Sequence, residues 1–268
     1  MIYVYIPSRL DRELIPTCYD IVAKASKPQD LHIVVFNQDR AGDTFFQEQF
    51  PEQVLLVNVD YNKFSNICYV RSLANAFIEP EDKYFLGIDS HMRFDQDWDK
   101  ILIDNLPEKS VLSAYPPPYS KYGETFPTNN QHFTNGFSSD PKRKFPFVSK
   151  ILPREQDYEK STFSGGFHFS SIKWLTDVGY DKNLCWKWEE IDLTYRTIAA
   201  GYNIVNYKHT PLYHLYEKID SRKIEDHQEK FLTNCDEAFE RKLNSKDIES
   251  INNYYDIDFF KFIVGMLN

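Results

Sequence analysis

The sequence predicts a single α/β domain with a mostly parallel central sheet flanked by helices. Short apolar runs alternate with segments of helical spacing through the first half of the chain, which is typical of repeated strand–helix units. At 268 residues, of which 42% are hydrophobic, the chain is long enough to bury a full core. Because ligands of such sheets bind beyond the carboxyl ends of the strands, polar residues that follow predicted strands are the first candidates for a functional site.

Each strand of the first half is predicted from a short run of aliphatic and aromatic residues, and each helix from apolar residues spaced three and four apart. The predicted strands are residues 2–6, 31–36, 54–59, 84–89 and 111–115. The predicted helices are residues 13–25, 66–78 and 96–106.

Residues 116–154 are rich in Pro, Tyr, Phe, Asn and Ser without clear periodicity, and long connections of this kind usually carry function. Within them the basic segment "PKRKFPFVSKILPR" contains Lys142, Arg143, Lys144, Phe145, Phe147, Lys150 and Arg154 but no acidic residue. We expect this segment either to bind an acceptor substrate or to form a solvated loop.

The second half returns to regular patterns. Residues 163–171, "FSGGFHFSS", predict a strand whose paired glycines let a ligand approach the backbone. A helix follows from "WKWEEIDLTYRTIAA" and ends at Gly201, and a short segment ends in "PLYHLY" at Tyr216. From residue 217 the chain is charged and amphipathic, so we predict one domain over residues 1–216 and a helical extension, residues 217–268, packed on it.

Composition excludes several classes of protein. The net charge of −9 and the pI of about 5.3 argue against a general nucleic-acid or anionic-membrane binder, because both ligands require a basic surface. Four scattered cysteines without a CxxC motif indicate neither a zinc site nor a disulfide scaffold. The start "MIYVYIPS" resembles a strand rather than a secretory signal, and no apolar run approaches the length of a membrane span, so we expect a soluble cytoplasmic protein.

The stretch "YFLGIDSHMRFDQDWDKIL" holds the strongest candidate site. A predicted strand ends directly at Asp89, and His91 follows two positions later. Cleavage of a sugar–diphosphate bond is helped by a divalent cation, and a carboxylate with an imidazole suits Mn²⁺ better than Mg²⁺ or Ca²⁺. His214 in "PLYHLY" is a candidate third ligand; the alternative is a core histidine bonded to backbone.

These residues carry a resemblance. The segments "IPSRLD", "VRSLANAF", "YFLGIDSHMRFDQDWDKILI" and "PLYHLY", with the Glu189-Glu190 pair, occur in the order seen in one glycosyltransferase family. This family is typified by the cytoplasmic N-acetylglucosaminyltransferase that modifies hydroxyproline. The resemblance is scattered over residues 2–216, and the "DSHMRF…WD" block is its specific part.

The resemblance implies a GT-A nucleotide-sugar-binding fold, a UDP-sugar donor, Mn²⁺ or a similar cation, and transfer with retention of anomeric configuration. Asp89 and His91 correspond to the metal-binding D-x-H, which also faces the nucleotide diphosphate, and His214 corresponds to the His-x-Tyr that completes the metal shell. Arg71 is implied to contact the phosphate or uracil, and Ser8 with Arg9 to receive the nucleotide. Glu189 and Glu190 occupy the acidic site near the acceptor hydroxyl.

The chain also departs from the family pattern. Residues 65–71 read "SNICYVR" where the family often has Gly-Pro and Ala before the arginine, and Trp188 stands where a glycine often precedes the acidic pair. These departures leave the sugar and the acceptor open, and they do not affect the metal site.

We therefore predict a metal-dependent glycosyltransferase that moves a sugar, N-acetylglucosamine by resemblance, from UDP to a hydroxyl group on a protein. Alternative acceptors are a glycan or a hydroxymethylated nucleobase. The basic segment could bind a nucleic acid that contains such a base, by stacking on its bases and contacting its phosphates. Alternative functions are a metal-dependent phosphoesterase and a sugar-binding module without catalysis.

Each candidate also has a structural interpretation. Glu189 and Glu190 could simply stabilise a helix N-terminus, in which case Asp192 is equally eligible. Arg71 could be a solvated helix residue. The tryptophans are interpreted mainly as packing residues, although Trp186 or Trp188 could stack on a sugar face.

Overall fold

The computed structural model describes residues 1–9, 11–39, 45–60, 66–119, 133–137, 147–151, 158–184, 186–216, 239 and 242–255. The strands are β1 (Ile2–Ser8), β2 (Leu31–Asp39), β3 (Val54–Asp60), β4 (Tyr84–Ile88), β5 (Met92–Phe94), β6 (Ser110–Ser113), β7 (Phe133–Phe137), β8 (Phe147–Ile151), β9 (Tyr158–Lys160), β10 (Phe167–Ser171), β11 (Asn203–Tyr207) and β12 (Leu212–His214). The α-helices are α1 (Leu14–Lys24), α2 (Ile67–Ser72), α3 (Trp98–Asp104), α4 (Ile172–Asp177), α5 (Trp186–Ala199) and α6 (Ser245–Tyr255).

The central sheet has eight strands in the order β3-β2-β1-β4-β10-β6-β11-β9. The ladders β3–β2, β2–β1, β1–β4 and β6–β11 are parallel, whereas β10 and β9 run antiparallel to their neighbours. Two small antiparallel pairs, β5–β12 and β7–β8, stand apart from this sheet. The predicted mostly parallel sheet with flanking helices is thus confirmed.

Both faces of the sheet are buried because its central strands are apolar at successive positions. On β1, Tyr3 and Tyr5 belong to one hydrophobic cluster, while Val4 and Ile6 belong to the other. Side chains alternate between the faces of a strand, so an unbroken apolar run supplies both clusters. Helices α1 and α3 cover the Val4 face, and helices α2, α4, α5 and α6 contribute to the Tyr3 face.

Several predicted elements have different limits in the structure. The helix predicted over residues 66–78 is α-helical only to Ser72 and continues as a 3₁₀-helix over Leu73–Phe77. Asn66 begins it, because its side chain accepts a hydrogen bond from the backbone N–H of Cys68. The strand predicted over residues 163–171 begins only at Phe167, since Gly165 and Gly166 form a turn.

The connection over residues 116–154 contains a β-hairpin that the sequence did not predict, formed by β7 and β8. In the basic segment, Phe147 and Lys150 belong to β8. Residues 141–146 and 152–154 of that segment lie outside the described residues, and the proposed acceptor contact is therefore not tested by the structure. Among the described residues, no helix combines the length and apolar character that crossing a bilayer requires.

Candidate active site

The predicted metal ligands come together where β4 ends. Asp89 follows β4 directly, His91 precedes β5, and His214 is the last residue of β12. Because β12 pairs antiparallel with β5 and places His214 opposite Met92, a residue 125 positions away in sequence from Asp89 becomes its neighbour. Ligand atoms of the three side chains all lie within 4.8 Å of one another.

The donor atoms of this triad fit a divalent transition metal. Asp89 Oδ2 is 3.1 Å from His214 Nε2 and 3.9 Å from His91 Nε2, and the two imidazole rings meet edge to face at 4.6 Å. Two imidazoles and one carboxylate that leave further positions open are a donor set suited to Mn²⁺, Fe²⁺ or Zn²⁺. Burial opposes ionisation of Asp89, but the hydrogen bond with His214 and, more weakly, the charge of Arg71 help to hold the pKa of its carboxyl well below the usual range.

Asp11, to which the sequence analysis assigned no role, supports this triad. Its Oδ2 accepts hydrogen bonds from the Oγ of Ser90 and from the Nδ1 of His91, each at 2.7 Å. Burial opposes ionisation, yet the hydrogen bonds with His91 and Ser90 lower the pKa of Asp11. Asp11 is the last residue of the segment "IPSRLD". That segment carried part of the resemblance, but nothing in the sequence indicated that Asp11 contacts His91.

Arg71 joins the metal triad to the acidic pair. Its guanidinium forms an ion pair with Glu189, lies 3.4 Å from Asp89 Oδ1, and donates to the carbonyl of Gly165 at 3.1 Å. The residue is buried, which excludes the interpretation of Arg71 as a solvated helix residue. A buried guanidinium between two carboxylates fixes the position of all three groups.

The two adjacent glutamates have different surroundings. Glu189 pairs with Arg71, and burial raises the pKa of its carboxyl against the opposing charge of that arginine. Glu190 accepts the N–H of Gly165 at 2.7 Å and the hydroxyl of Tyr115 at 3.0 Å. Burial raises the pKa of Glu190 to about 7, so this carboxyl is partly protonated at neutral pH.

Asp192 is not an equivalent of these glutamates, as the alternative interpretation of the helix allowed. It is buried and binds Arg196 at 2.6 Å and Lys242 at 2.9 Å, so it joins α5 to the segment before α6. Its role in the structure is therefore to hold helices together.

The paired glycines of "FSGGFHFSS" lie directly against two side chains of the site, and the approach of a ligand to their backbone stays a prediction. A Cβ on Gly165 would lie 2.8 Å from Arg71 Nη1, and a Cβ on Gly166 would lie 2.9 Å from Asp89 Oδ2. Cβ atoms in folded proteins essentially never come within 3.0 Å of a non-bonded heavy atom. The two glycines therefore make room for the arginine and the carboxylate of the site.

The residues expected to receive a nucleotide lie at the same edge of the sheet. Parallel pairing sets Tyr5 of β1 opposite Gly87 of β4. Ser8 and Asp89 therefore both lie at the carboxyl ends of these adjacent strands. Ser8 is buried, and its Oγ has no hydrogen-bond partner within the described part of the chain. Arg9 follows it with an intermediate exposure.

The tryptophans that the structure describes pack inside the protein. Trp188 is buried and stacks on Phe239 with ring centroids 4.5 Å apart, so it is not available to a sugar. Trp98 donates to the carbonyl of Ile21. Trp174 is buried as well, and the side chain of Trp186 lies outside the described residues.

A family model described as "Glycosyltransferase (GlcNAc)" matches residues 46–249, which is more than half of the chain. The chain belongs to this glycosyltransferase family. The matched range contains Arg71, the metal triad and both glutamates, while β1 and Asp11 precede it. The family assignment favours the predicted glycosyltransferase over the phosphoesterase and the non-catalytic module.

Solved glycosyltransferases share its fold. GalNAc-T7, crystallised with UDP, GalNAc and Mn²⁺, superposes with a TM-score of 0.68 at 12% identity and covers 87% of this chain. This chain spans 47% of that protein, about half its length. TarS 1–349 from S. aureus, in complex with UDP-GlcNAc, has a TM-score of 0.59 at 12% identity, covering 100% of this chain and 71% of that chain.

These neighbours confirm the GT-A fold and, at such low identity, the fold alone. No curated protein matches the chain in sequence.

Proposed function

We propose that this glycosyltransferase transfers N-acetylglucosamine from UDP-N-acetylglucosamine to a hydroxyl group on a protein, with Mn²⁺ or a similar cation as cofactor. The observation that carries the proposal is the convergence of Asp89, His91 and His214 beside the Arg71–Glu189 pair. TarS binds UDP-GlcNAc, and GalNAc-T7 binds UDP, GalNAc and Mn²⁺, which supports a UDP-sugar as the donor here.

In this proposal Asp89, His91 and His214 hold the cation at the carboxyl edge of the sheet. A bound divalent cation neutralises the charge that develops on the departing UDP diphosphate. Ser8 and Arg9, at the end of β1, receive the nucleotide. Arg71 contacts the phosphate or uracil of the nucleotide, as the resemblance implies. It also keeps the Asp89 carboxylate oriented toward the two histidines, since its guanidinium lies 3.4 Å from the other oxygen of that carboxylate.

The acidic pair is assigned to the acceptor side. Glu189, ionised against Arg71, counters the positive charge that the sugar ring gains as its bond to UDP breaks. Glu190 orients the acceptor hydroxyl and accepts its proton, because a carboxyl with a pKa of about 7 changes protonation state near neutral pH. Attack on the face that UDP leaves gives retention of configuration, as the resemblance implies.

The acceptor and the domain boundaries are also proposals. A hydroxylated side chain of a protein follows the family resemblance, whereas a glycan or a modified nucleobase remains the alternative. We further propose residues 1–216 as the catalytic domain and residues 217–268 as an extension on the same domain, with the protein acting in the cytoplasm. Binding to oligonucleotides that weakens steeply with salt would favour the nucleobase acceptor.

The function is tested by thermal unfolding and UDP release. UDP-N-acetylglucosamine should raise the melting temperature in the presence of Mn²⁺ and much less without it, because a ligand of the native state stabilises it. Asp89→Asn and His214→Ala should each abolish Mn²⁺-dependent UDP release. His209→Ala, which removes an exposed histidine, is the control and should leave release unchanged. Full release by either site variant would refute the assigned metal shell.

A further inference from the structure

Asp11 contacts a predicted metal ligand from the side opposite the metal position. Its carboxylate accepts a hydrogen bond from Nδ1 of His91, while Nε2 of the same ring faces Asp89. A histidine that binds a metal through one nitrogen typically donates its other N–H to a carboxylate or carbonyl, which fixes the tautomer and the ring orientation. The pair Asp11–His91 has this arrangement.

The carboxylate is itself held rigidly by the start of α1. Asp11 Oδ1 accepts the backbone N–H of Glu13 at 3.0 Å, and the Asp11 carbonyl accepts the N–H of Leu14 at 3.2 Å. Both side chains of the Asp11–His91 pair are only 5% exposed, so water does not compete for the 2.7 Å contact between them. The His91 ring is therefore oriented by a fixed group.

Helix α1 also fixes the backbone around His91. Thr17 Oγ1 donates toward the carbonyls of Ser90 and Met92, at 2.9 and 3.1 Å, and accepts the N–H of Met92 at 3.0 Å. Asp11 holds the side chain of Ser90 in addition to that of His91. The strand end that carries the metal ligands is thus docked on α1 by two buried polar residues.

We propose that Asp11 is a positioning residue that holds His91 with its proton on Nδ1 and its Nε2 lone pair directed to the cation. This inference rests on the metal site of the proposed function. It assigns a role to a residue that precedes the range matched by the family model. Asp11 does not touch the sugar or the metal, and it acts only through His91.

The test measures Mn²⁺ binding directly, by the loss of the free Mn²⁺ electron paramagnetic resonance signal. Asp11→Asn should weaken Mn²⁺ binding 10- to 100-fold. An amide N–H can donate to Nδ1, which leaves the ring proton on Nε2, the nitrogen that faces the metal position. The control is Asp99→Asn. Asp99 is also a buried carboxylate with three hydrogen bonds, which come from Ser26 and Lys27, and its variant should bind Mn²⁺ normally.

A double-mutant cycle separates positioning from a general structural effect. In a His91→Ala background, Asp11→Asn should cause no further loss of Mn²⁺ affinity, because the ring it orients is absent. An equal loss in both backgrounds, wild-type affinity of Asp11→Asn, or an equal loss in Asp99→Asn would overturn the inference. If His91→Ala itself binds Mn²⁺ normally, the metal site of the proposed function fails and the inference fails with it.

A measurement on the unmodified protein covers the case in which Asp11→Asn does not fold. Nitrogen chemical shifts of the His91 ring at pH 8, without metal, should show the proton on Nδ1. A proton on Nε2 would contradict the role assigned to Asp11 even if every variant were unstable.

Discussion

At the scale of single residues, burial and the hydrogen-bond or ion-pair partner of each carboxyl group determine its pKa. Glu189 and Glu190 are adjacent in sequence, yet one pairs with Arg71 and the other accepts hydrogen bonds from Gly165 and Tyr115. Because no cation contacts Glu190 at hydrogen-bond distance within the described residues, desolvation dominates and raises its pKa to about 7. Identity of the residue type therefore does not imply identity of function.

This shift predicts a pH dependence of stability. In the folded protein Glu190 has a pKa of about 7, whereas an unfolded glutamate titrates near 4.5. As pH rises between these values the unfolded state loses its proton first, so this group lowers the free energy of unfolding by up to about 3 kcal/mol across the window. Glu190→Gln removes this effect, and the difference in stability between variant and wild type should grow from pH 5 to pH 8.

The measurement is urea unfolding at half-unit pH steps. Glu249→Gln, which changes an exposed carboxylate on α6, is the control and should follow the wild-type profile. A Glu190→Gln profile parallel to that of wild type would show that Glu190 titrates in the folded protein as it does in the unfolded chain.

At the scale of elements, the turn before β10 acts as a spacer. Gly165 and Gly166 bring the chain past Arg71 and Asp89 without side chains of their own. Neither glycine has a positive φ angle, so the requirement for glycine is steric rather than conformational. The pair of glycines is therefore part of the site through the space that it leaves and the backbone hydrogen bonds of Gly165, although it has no side chains.

Gly166→Ala should separate metal binding from folding. The added Cβ would meet the end of the Asp89 side chain, which can move, so the free energy of unfolding should change by less than about 1 kcal/mol. The displaced carboxylate should weaken Mn²⁺ binding at least about tenfold, on the scale seen when support of a metal ligand is altered. Calorimetric titration with Mn²⁺ measures this change.

Gly165→Ala is the comparison, since its Cβ would meet Arg71 rather than Asp89. We expect this variant to reduce sugar transfer more than Mn²⁺ affinity. Unchanged Mn²⁺ affinity in Gly166→Ala would mean that Asp89 tolerates displacement or does not bind the metal.

At the scale of the whole molecule, the last described helix, α6, belongs to the same hydrophobic core as α5. Ile251 of α6 is fully buried in the same hydrophobic cluster as Ile191 of α5. The hydroxyl of Tyr254 donates a hydrogen bond to the backbone carbonyl of Ile204 at 2.9 Å and accepts one from the backbone N–H of Ile204 at 3.1 Å. These two bonds join α6 to β11. The hydroxyl of Tyr255 donates to the carbonyl of Ser161.

Ile251→Ala should therefore destabilise the protein as a unit. Removal of a fully buried isoleucine side chain costs about 2–5 kcal/mol, which should lower the urea midpoint measured by circular dichroism and by tryptophan fluorescence equally. Glu249→Ala, on the exposed face of α6, should shift neither. A separate early transition in Ile251→Ala, with the main midpoint unchanged, would show that α6 unfolds independently of the sheet.

The local patterns in the sequence predicted β1 to β4, β6 and β10, but they did not predict the short strands β5, β9, β11 and β12. Apolar runs located β1 to β4. The sequence also placed Asp89 and His91 together at the end of β4, because both residues directly follow that apolar run. The hairpin β7–β8 was missed, since its residues show no two-residue alternation. His214 was a candidate third ligand from its residue type and was supported by the resemblance, but no local pattern in the sequence showed that it would meet Asp89.

The sequence by itself determined the residue types at the site and the alternation that builds a parallel sheet. Only the tertiary structure decided that Asp11 meets His91, that Arg71 bridges two carboxylates, and that Gly166 makes room for Asp89. These contacts join residues 18 to 118 positions apart, and they depend on strand order and burial. Neither property is encoded in any short segment of the chain, because each arises when distant segments pack together.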